Sequence, residues 1–272
     1  MEFLGWERDL HCKRVTLCSP RLIYNGRIMP IPGFLSVFDL TWIDLTAVLL
    51  FGGGWAAYVY FAAWHGKRVP SLHNSMDRYR REWMVRMVER DNRMVDVNVL
   101  RSTTRSSQFF ASTTMLILGA LVASMGYVQQ ASDLVSGLPF TVKASARLLE
   151  IKMLLLVLIF VHAFFKFSWA IRQLNFAGIL VAAVPAAEKG TDPERHAAYI
   201  NRIARITSYA GSNFNHGLRS YYFAVAALAW FLHPWLMVVA TAWVIGILFH
   251  REFKSKTLHA MVDEDTSPTL HT

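Results

Sequence analysis

The sequence predicts an all-α protein: a polytopic bundle of transmembrane helices with about five crossings and amphipathic helices on its cytoplasmic side. Three observations predict it. Hydrophobic residues make up 54% of the 272 and charged residues 17%, whereas a soluble domain carries about 25% charge. Four blocks, Leu40–Trp64, Gln108–Val128, Leu148–Ile171 and Tyr221–Phe249, stand out as apolar. At roughly 1.5 Å per helical residue each is long enough for a hydrocarbon layer about 30 Å thick. Ten basic side chains, from Lys67 to Arg105, fill the connection between the first two blocks. Lys and Arg near span ends stay on the cytoplasmic side, so that connection is expected inside.

Residues 1–35 read as an N-terminal extension lying outside, with Pro20, Pro30, Pro32 and Gly33 breaking any long element. The basic-then-apolar order of a signal peptide is missing, so the spans themselves are expected to direct insertion. Cys12 and Cys18 would face an oxidising compartment; their spacing permits a disulfide and does not demand one. The helical domain is expected over residues 36–262. Its first span carries Asp39 and Asp44 near the outer end. Gly52-Gly53-Gly54 follows, a notch for a neighbouring helix.

Residues 74–100 are polar but patterned. Met76, Tyr79, Trp83 and Met87 follow helical spacing, and Arg78, Arg81, Arg86, Arg90 and Arg93 fill the other face. Two placements fit: flat on the inner interface, or as a cytoplasmic extension of the spans. The second span is smooth on one side, with Ala111, Gly119, Ala120, Ala123 and Gly126. The third is strongly apolar yet holds Glu150, Lys152, His162 and Lys166. The connection Arg172 to Arg219 carries six basic and three acidic residues, and Asp192-Pro193 has the order of a helix start.

As one helix, Tyr221–Phe249 would be about 43 Å long with Pro234 in its middle. It would also leave Arg251, Lys254 and Lys256 outside. A hairpin turned at His233-Pro234 returns them to the inside, and its first arm then begins near Phe214. The last ten residues, 263–272, read as a disordered acidic tail.

Several strings carry a family resemblance: Asn92-Arg93-Met94-Val95-Asp96, Phe109-Phe110-Ala111-Ser112-Thr113-Thr114 and Phe164-Phe165-Lys166-Phe167. Arg172-Gln173-Leu174-Asn175-Phe176, Gly217-Leu218-Arg219-Ser220-Tyr221-Tyr222-Phe223 and Arg251-Glu252-Phe253 complete the set. Over roughly residues 40 to 260 the chain resembles a family of bacterial and plant membrane proteins catalogued as domain of unknown function 599. The resemblance implies architecture and brings no activity, so it assigns no residue a role. The expected location is the bacterial inner membrane, with the N-terminus outside and the C-terminus cytoplasmic.

Ionisable side chains within a bilayer cost several kcal/mol unless paired or wetted, so each is a candidate by default. Asp44 and Lys152 lie at matching outer depth, where they would form an ion pair with Glu150 competing. His162 is expected near mid-membrane with Lys166 one turn further in on the same face. Together these five residues sketch a polar pathway. The bland alternatives are a structural pair at the outer end, a His162 bond to the second span, and a Lys166 that snorkels. Arg101, Arg105, Arg172 and Arg219 gather at one inner depth, suited to a phosphate or carboxylate, or to the headgroups of anionic lipids.

No cofactor, metal site or catalytic residue is expected. Candidate haem histidines do not match in depth, and neither a Gly-x-Ser-x-Gly elbow nor a phosphate loop occurs. The net charge of +9 sits beside apolar spans, which points to membrane lipids rather than nucleic acid. Two functions remain. One is a homo-oligomeric channel or transporter for an ion or small anionic solute. The other is a non-catalytic, lipid-binding accessory or scaffold subunit of a larger membrane complex. An enzyme acting on a lipid is third.

Overall fold

The first apolar block becomes a helix because its entry is capped. Thr41 accepts the Asp44 N–H at 3.2 Å, while the Asp44 carboxylate accepts the Thr41 N–H at 3.2 Å and its hydroxyl at 2.6 Å. This reciprocal box starts α1 (Trp42–His65). Ser71 caps α2 (Leu72–Val88), and after a break at residues 89–93 comes α3 (Met94–Met125). Ser145 caps α4 (Ala146–Ala183). Pro193 opens α5 (Pro193–Leu228), its missing N–H costing nothing at a first position. A 3₁₀ turn, Ala229–Phe231, leads to α6 (Pro234–Phe253), capped by the His233 ring on the Trp235 N–H at 3.1 Å. The short α7 (Lys256–Asp263) ends the helical series.

This computed structural model describes residues 21–24, 27–30, 40–66, 68, 69, 71–128, 145–185 and 193–263. It falls into two compact units, Met1–Leu40 and Thr41–Thr272. The first contains an antiparallel pair, β1 (Arg21–Tyr24) and β2 (Arg27–Pro30), in the register Arg21↔Pro30 to Tyr24↔Arg27. The prolines keep these strands short, but the Asn25-Gly26 hairpin signal between them was there to be read. Cys12, Cys18 and the tail beyond residue 263 lie outside the described residues.

The second unit is all-helical. Four stretches are long and apolar enough to cross a membrane: α1, α3, α4 and Pro234–Val262. Helix α5 is not among them, because its first half is polar. The hairpin at Pro234 is as expected: Arg219 on α5 meets Glu252 on α6 at 3.5 Å, and Arg251 bonds the Tyr222 hydroxyl. The first arm, however, begins far before Phe214, since α5 runs unbroken for 36 residues.

Helices α3, α4 and α5 are about 48, 57 and 54 Å long by helical rise, well beyond a 30 Å layer. Their surplus lengths form a separate core with α2. Met84, Met87 and Val88 pack there on Leu100 of α3, Leu174, Ala177 and Val181 of α4, and Ile203 of α5. The apolar face of α2 therefore lies on protein, as an extension of the spans would have it, while Met94, Val95 and Val99 at the start of α3 are exposed. A salt-bridged joint fixes the break before α3. Arg93 bonds the Val184 carbonyl at 2.6 Å and those of Val181 and Pro185, closing the C-terminal end of α4. Asp96, fully buried, accepts from Trp83 Nε1 and from Arg90, both at 2.6 Å.

Helices α4 and α5 cross closely at Gly217, where a Cβ would meet the Phe167 ring at 2.6 Å. Phe110, Phe214 and Tyr221 complete this aromatic core. The triple-glycine notch is used only in part: a Cβ at Gly54 would meet the Ile245 side chain of α6 at 3.3 Å, while one at Gly52 or Gly53 would meet nothing within 4 Å.

Candidate functional site: a polar chamber at the basic end

Three groups of polar side chains lie along the bundle, the first buried, the second and third largely half-buried, with His162 and Arg251 exposed. At the end opposite the arginine-rich connections, Asp44 and Lys152 are 3% and 5% exposed. They do not form the direct ion pair expected of them. Trp230 stands between, its indole N–H donating to Asp44 at 2.8 Å and its carbonyl accepting Lys152 Nζ at 2.8 Å. The ammonium also lies 5.4 Å from the indole centroid. Every side-chain polar atom here is partnered among the described residues. Glu150 is exposed and takes no part.

The middle group follows one face of α5, where Ser212, His216 and Ser220 recur at four-residue spacing. Ser220 donates to the His216 carbonyl at 3.1 Å and meets His162 Nδ1 at 3.0 Å. His162 thus finds a serine on α5, not on the second span. Lys166 donates to Asn213 at 3.4 Å, and Asn213 donates to Gln173 at 2.9 Å. His162 and Lys166 are bound to a neighbouring helix, and neither lines the chamber described next. Beyond Ser220 the face turns aromatic. Phe223 stacks on Trp55 at 4.8 Å and Phe51 meets both rings edge-on, separating the middle group from the Asp44 cluster.

The third group surrounds empty space. At the basic end α1, α2, α5 and α6 converge on two adjoining lobes of about 280 and 220 Å³. His73, Asn215, Arg219 and Glu252 line both. Glu252 accepts from Arg219 at 3.5 Å and from the His73 backbone N–H at 3.3 Å. The first lobe adds Asp77, which pairs with Arg80 at 2.6 Å and His73 at 3.6 Å, together with His216 and Ser212. The second adds Tyr58, Arg80, Tyr222 and Arg251. Three guanidiniums thus face one carboxylate in the second lobe. In the first, one guanidinium faces two carboxylates.

Tyr58 is only 4% exposed and its buried hydroxyl has no hydrogen-bond partner. The Arg219 guanidinium lies over its ring at 5.4 Å. A buried polar atom without a partner forfeits about 1–3 kcal/mol; Asp96 Oδ2 and His196 Nε2 are in the same position, but of the three residues Tyr58 alone lines the chamber.

The predicted inner arginine cluster is only partly assembled. Arg219 enters the chamber, whereas Arg101, Arg105 and Arg172 are exposed on α3 and α4 and form none of its walls. Arg172 lies over Phe176 at 5.9 Å. They point away because the chamber forms against α1 and α6, on the other side of α5. Sequence reasoning missed His73, Asn215 and Glu252, which come from three different helices. A signal for Glu252 existed: it is the lone acid among the basic residues that end α6. Among the described residues, no group of three His, Cys, Asp or Glu could hold a metal ion.

An all-α bundle with four potential membrane-spanning helices, a second core at one end and an arginine-lined chamber beneath it defines a membrane protein class. Within it, the chain belongs to the family described as protein of unknown function, DUF599, whose model matches residues 46–257. No curated protein and no solved structure matches it.

Proposed function

We propose that the protein is a transporter that takes a small anion into the chamber and passes it along the polar face of α5. The observation that carries this reading is the row Ser212, His216, Ser220. It leaves the chamber wall and continues, with Lys166 and His162 beside it, to the Trp55–Phe223 stack. The stack acts as the closed gate and the Asp44–Trp230–Lys152 cluster as the fixed floor beyond it. A half-buried cation such as Lys166 is costly in hydrocarbon, and an anion's route is a use that offsets the cost. The basic end faces the cytoplasm of a bacterial inner membrane, the C-terminus lies there too, and anionic lipids surround the basic rim. Assembly is homo-oligomeric, and no cofactor or catalytic step is involved.

Flux of anions from proteoliposomes tests this. Lys166→Met is expected to abolish flux while the protein stays folded; undiminished flux would make Lys166 a packing residue. A cysteine placed at residue 256 is expected to label only from the cytoplasmic side, and labelling from outside would overturn the orientation. The second reading, a lipid-binding accessory subunit, is favoured by exposed apolar side chains where α3 begins: Met94 and Val95 at 63% and Val99 at 44%. Association with a larger complex, in the absence of any flux, would select it.

A further inference from the structure

We propose that the second lobe is a binding site for inorganic phosphate. This deepens the transport reading, and rests on it only for the claim that the bound ion moves on.

The charge balance excludes other classes first. Asp77 neutralises Arg80, so Arg219 and Arg251 against Glu252 leave one positive charge in the lobe, which repels a cation and is left uncompensated by a neutral ligand. The donors then narrow the shape. They approach from different helices: Tyr58 on α1, Arg219 on α5 and Arg251 on α6. A planar carboxylate presents two oxygens in one plane, whereas a tetrahedral oxyanion presents an oxygen to each direction. Arg219 uses an N–H on Glu252 at a long 3.5 Å, and its fork has five N–H groups in all. Arg251 bonds only the Tyr222 hydroxyl, and Arg80 is held by Asp77.

Two features select phosphate among oxyanions. Tyr58 belongs to the lobe wall and its hydroxyl is buried without a protein partner, so a small shift of the lining around a ligand lets it donate to an incoming oxygen. Glu252 is an acceptor only, 16% exposed, and beside that same space. It repels an oxyanion that carries no proton. Inorganic phosphate retains a proton near neutral pH and donates it to the carboxylate, whereas a monoester, with its second pKa at about 6, has largely lost it. Sulfate has none, nor has the phosphodiester of a lipid headgroup. The second lobe alone, at about 220 Å³, admits a small solute and falls short of the roughly 300–1,000 Å³ usual for larger organic ligands.

The experiment uses the full chain in detergent, titrated with sodium phosphate or sodium sulfate at constant ionic strength. Thermal stability is the readout, since a ligand that binds the folded state raises Tm saturably. The expected result is saturable stabilisation by phosphate, with sulfate about tenfold weaker or more. Tyr58→Phe is expected to weaken phosphate by about tenfold without lowering the Tm of the ligand-free protein. No saturable response, sulfate equal to phosphate, or an unchanged affinity in Tyr58→Phe would each overturn the proposal. A parallel arm compares nanodiscs of phosphatidylglycerol and phosphatidylcholine. Stabilisation by phosphatidylglycerol that Tyr58→Phe abolishes would assign the lobe to a lipid headgroup and overturn the claim for phosphate. Phosphate binding without flux would keep the site and remove the transport reading; flux without phosphate binding would do the reverse.

Discussion

The two ends of the bundle use ionisable groups in opposite ways: Asp44 and Lys152 are buried, whereas the charged side chains of the chamber are half-buried or, for Arg251, exposed. Around Trp230, Asp44 and Lys152 are drawn into a closed cluster in which one side chain supplies a donor to the acid and an acceptor to the base. Nothing is left over. Around Tyr58, the charges of three helices enclose space, the Arg219–Glu252 pair is long, and a buried hydroxyl goes unsatisfied. The comparison teaches that a buried charge within a membrane bundle is not by itself a functional mark. What distinguishes a site is a donor set with more capacity than the protein fills, next to room for a partner.

The closed cluster is where substitution is expected to cost most. Lys152→Met or Asp44→Asn removes one member of a buried opposite-charge set, an effect of about 3–5 kcal/mol. The double variant is expected to lose less than the sum, with coupling above about 0.5 kcal/mol carried through Trp230, measured as a double-mutant cycle on stability in detergent. Additive losses would show that the indole insulates the two charges, and that each is held by local bonds alone.

Much of the fold was legible because apolar length and basic connections are strong signals that act locally. Three of the four apolar blocks coincide with the centres of α1, α3 and α4, and Pro234 turned the fourth into a hairpin. The helix ends were harder to see. Helices α3 and α4 continue about a dozen residues past the apolar stretch, because their polar ends bury a second stripe on α2 and α5 rather than facing water. The strings that carried the family resemblance prove to be joints. Arg93 closes the end of α4, Asp96 holds Trp83 and Arg90, and Gly217 admits Phe167.

The candidate site was less legible. Each residue's depth was readable from helical rise, so Asp44 and Lys152 were matched correctly in height. Which helix faces which was not, because that depends on contacts between residues far apart in sequence. Trp230 therefore went unnoticed between two charges 108 residues apart (152 minus 44). For the same reason the arginines on α3 and α4 were grouped with Arg219, though they point away from it.

The sharpest test sets one hydroxyl against one indole N–H. Tyr58→Phe and Trp230→Phe each remove a single buried donor, and their stabilities would be compared in one ligand-free detergent preparation. Trp230→Phe strands the Asp44 carboxylate oxygen and is expected to cost about 1–3 kcal/mol, with some added loss from the smaller ring. Tyr58→Phe removes a group that bonds to nothing in the protein, so stability is expected to stay level or rise. A loss from Tyr58→Phe as large as that from Trp230→Phe would contradict the account: the chamber would be a second closed cluster, with no vacancy for an anion.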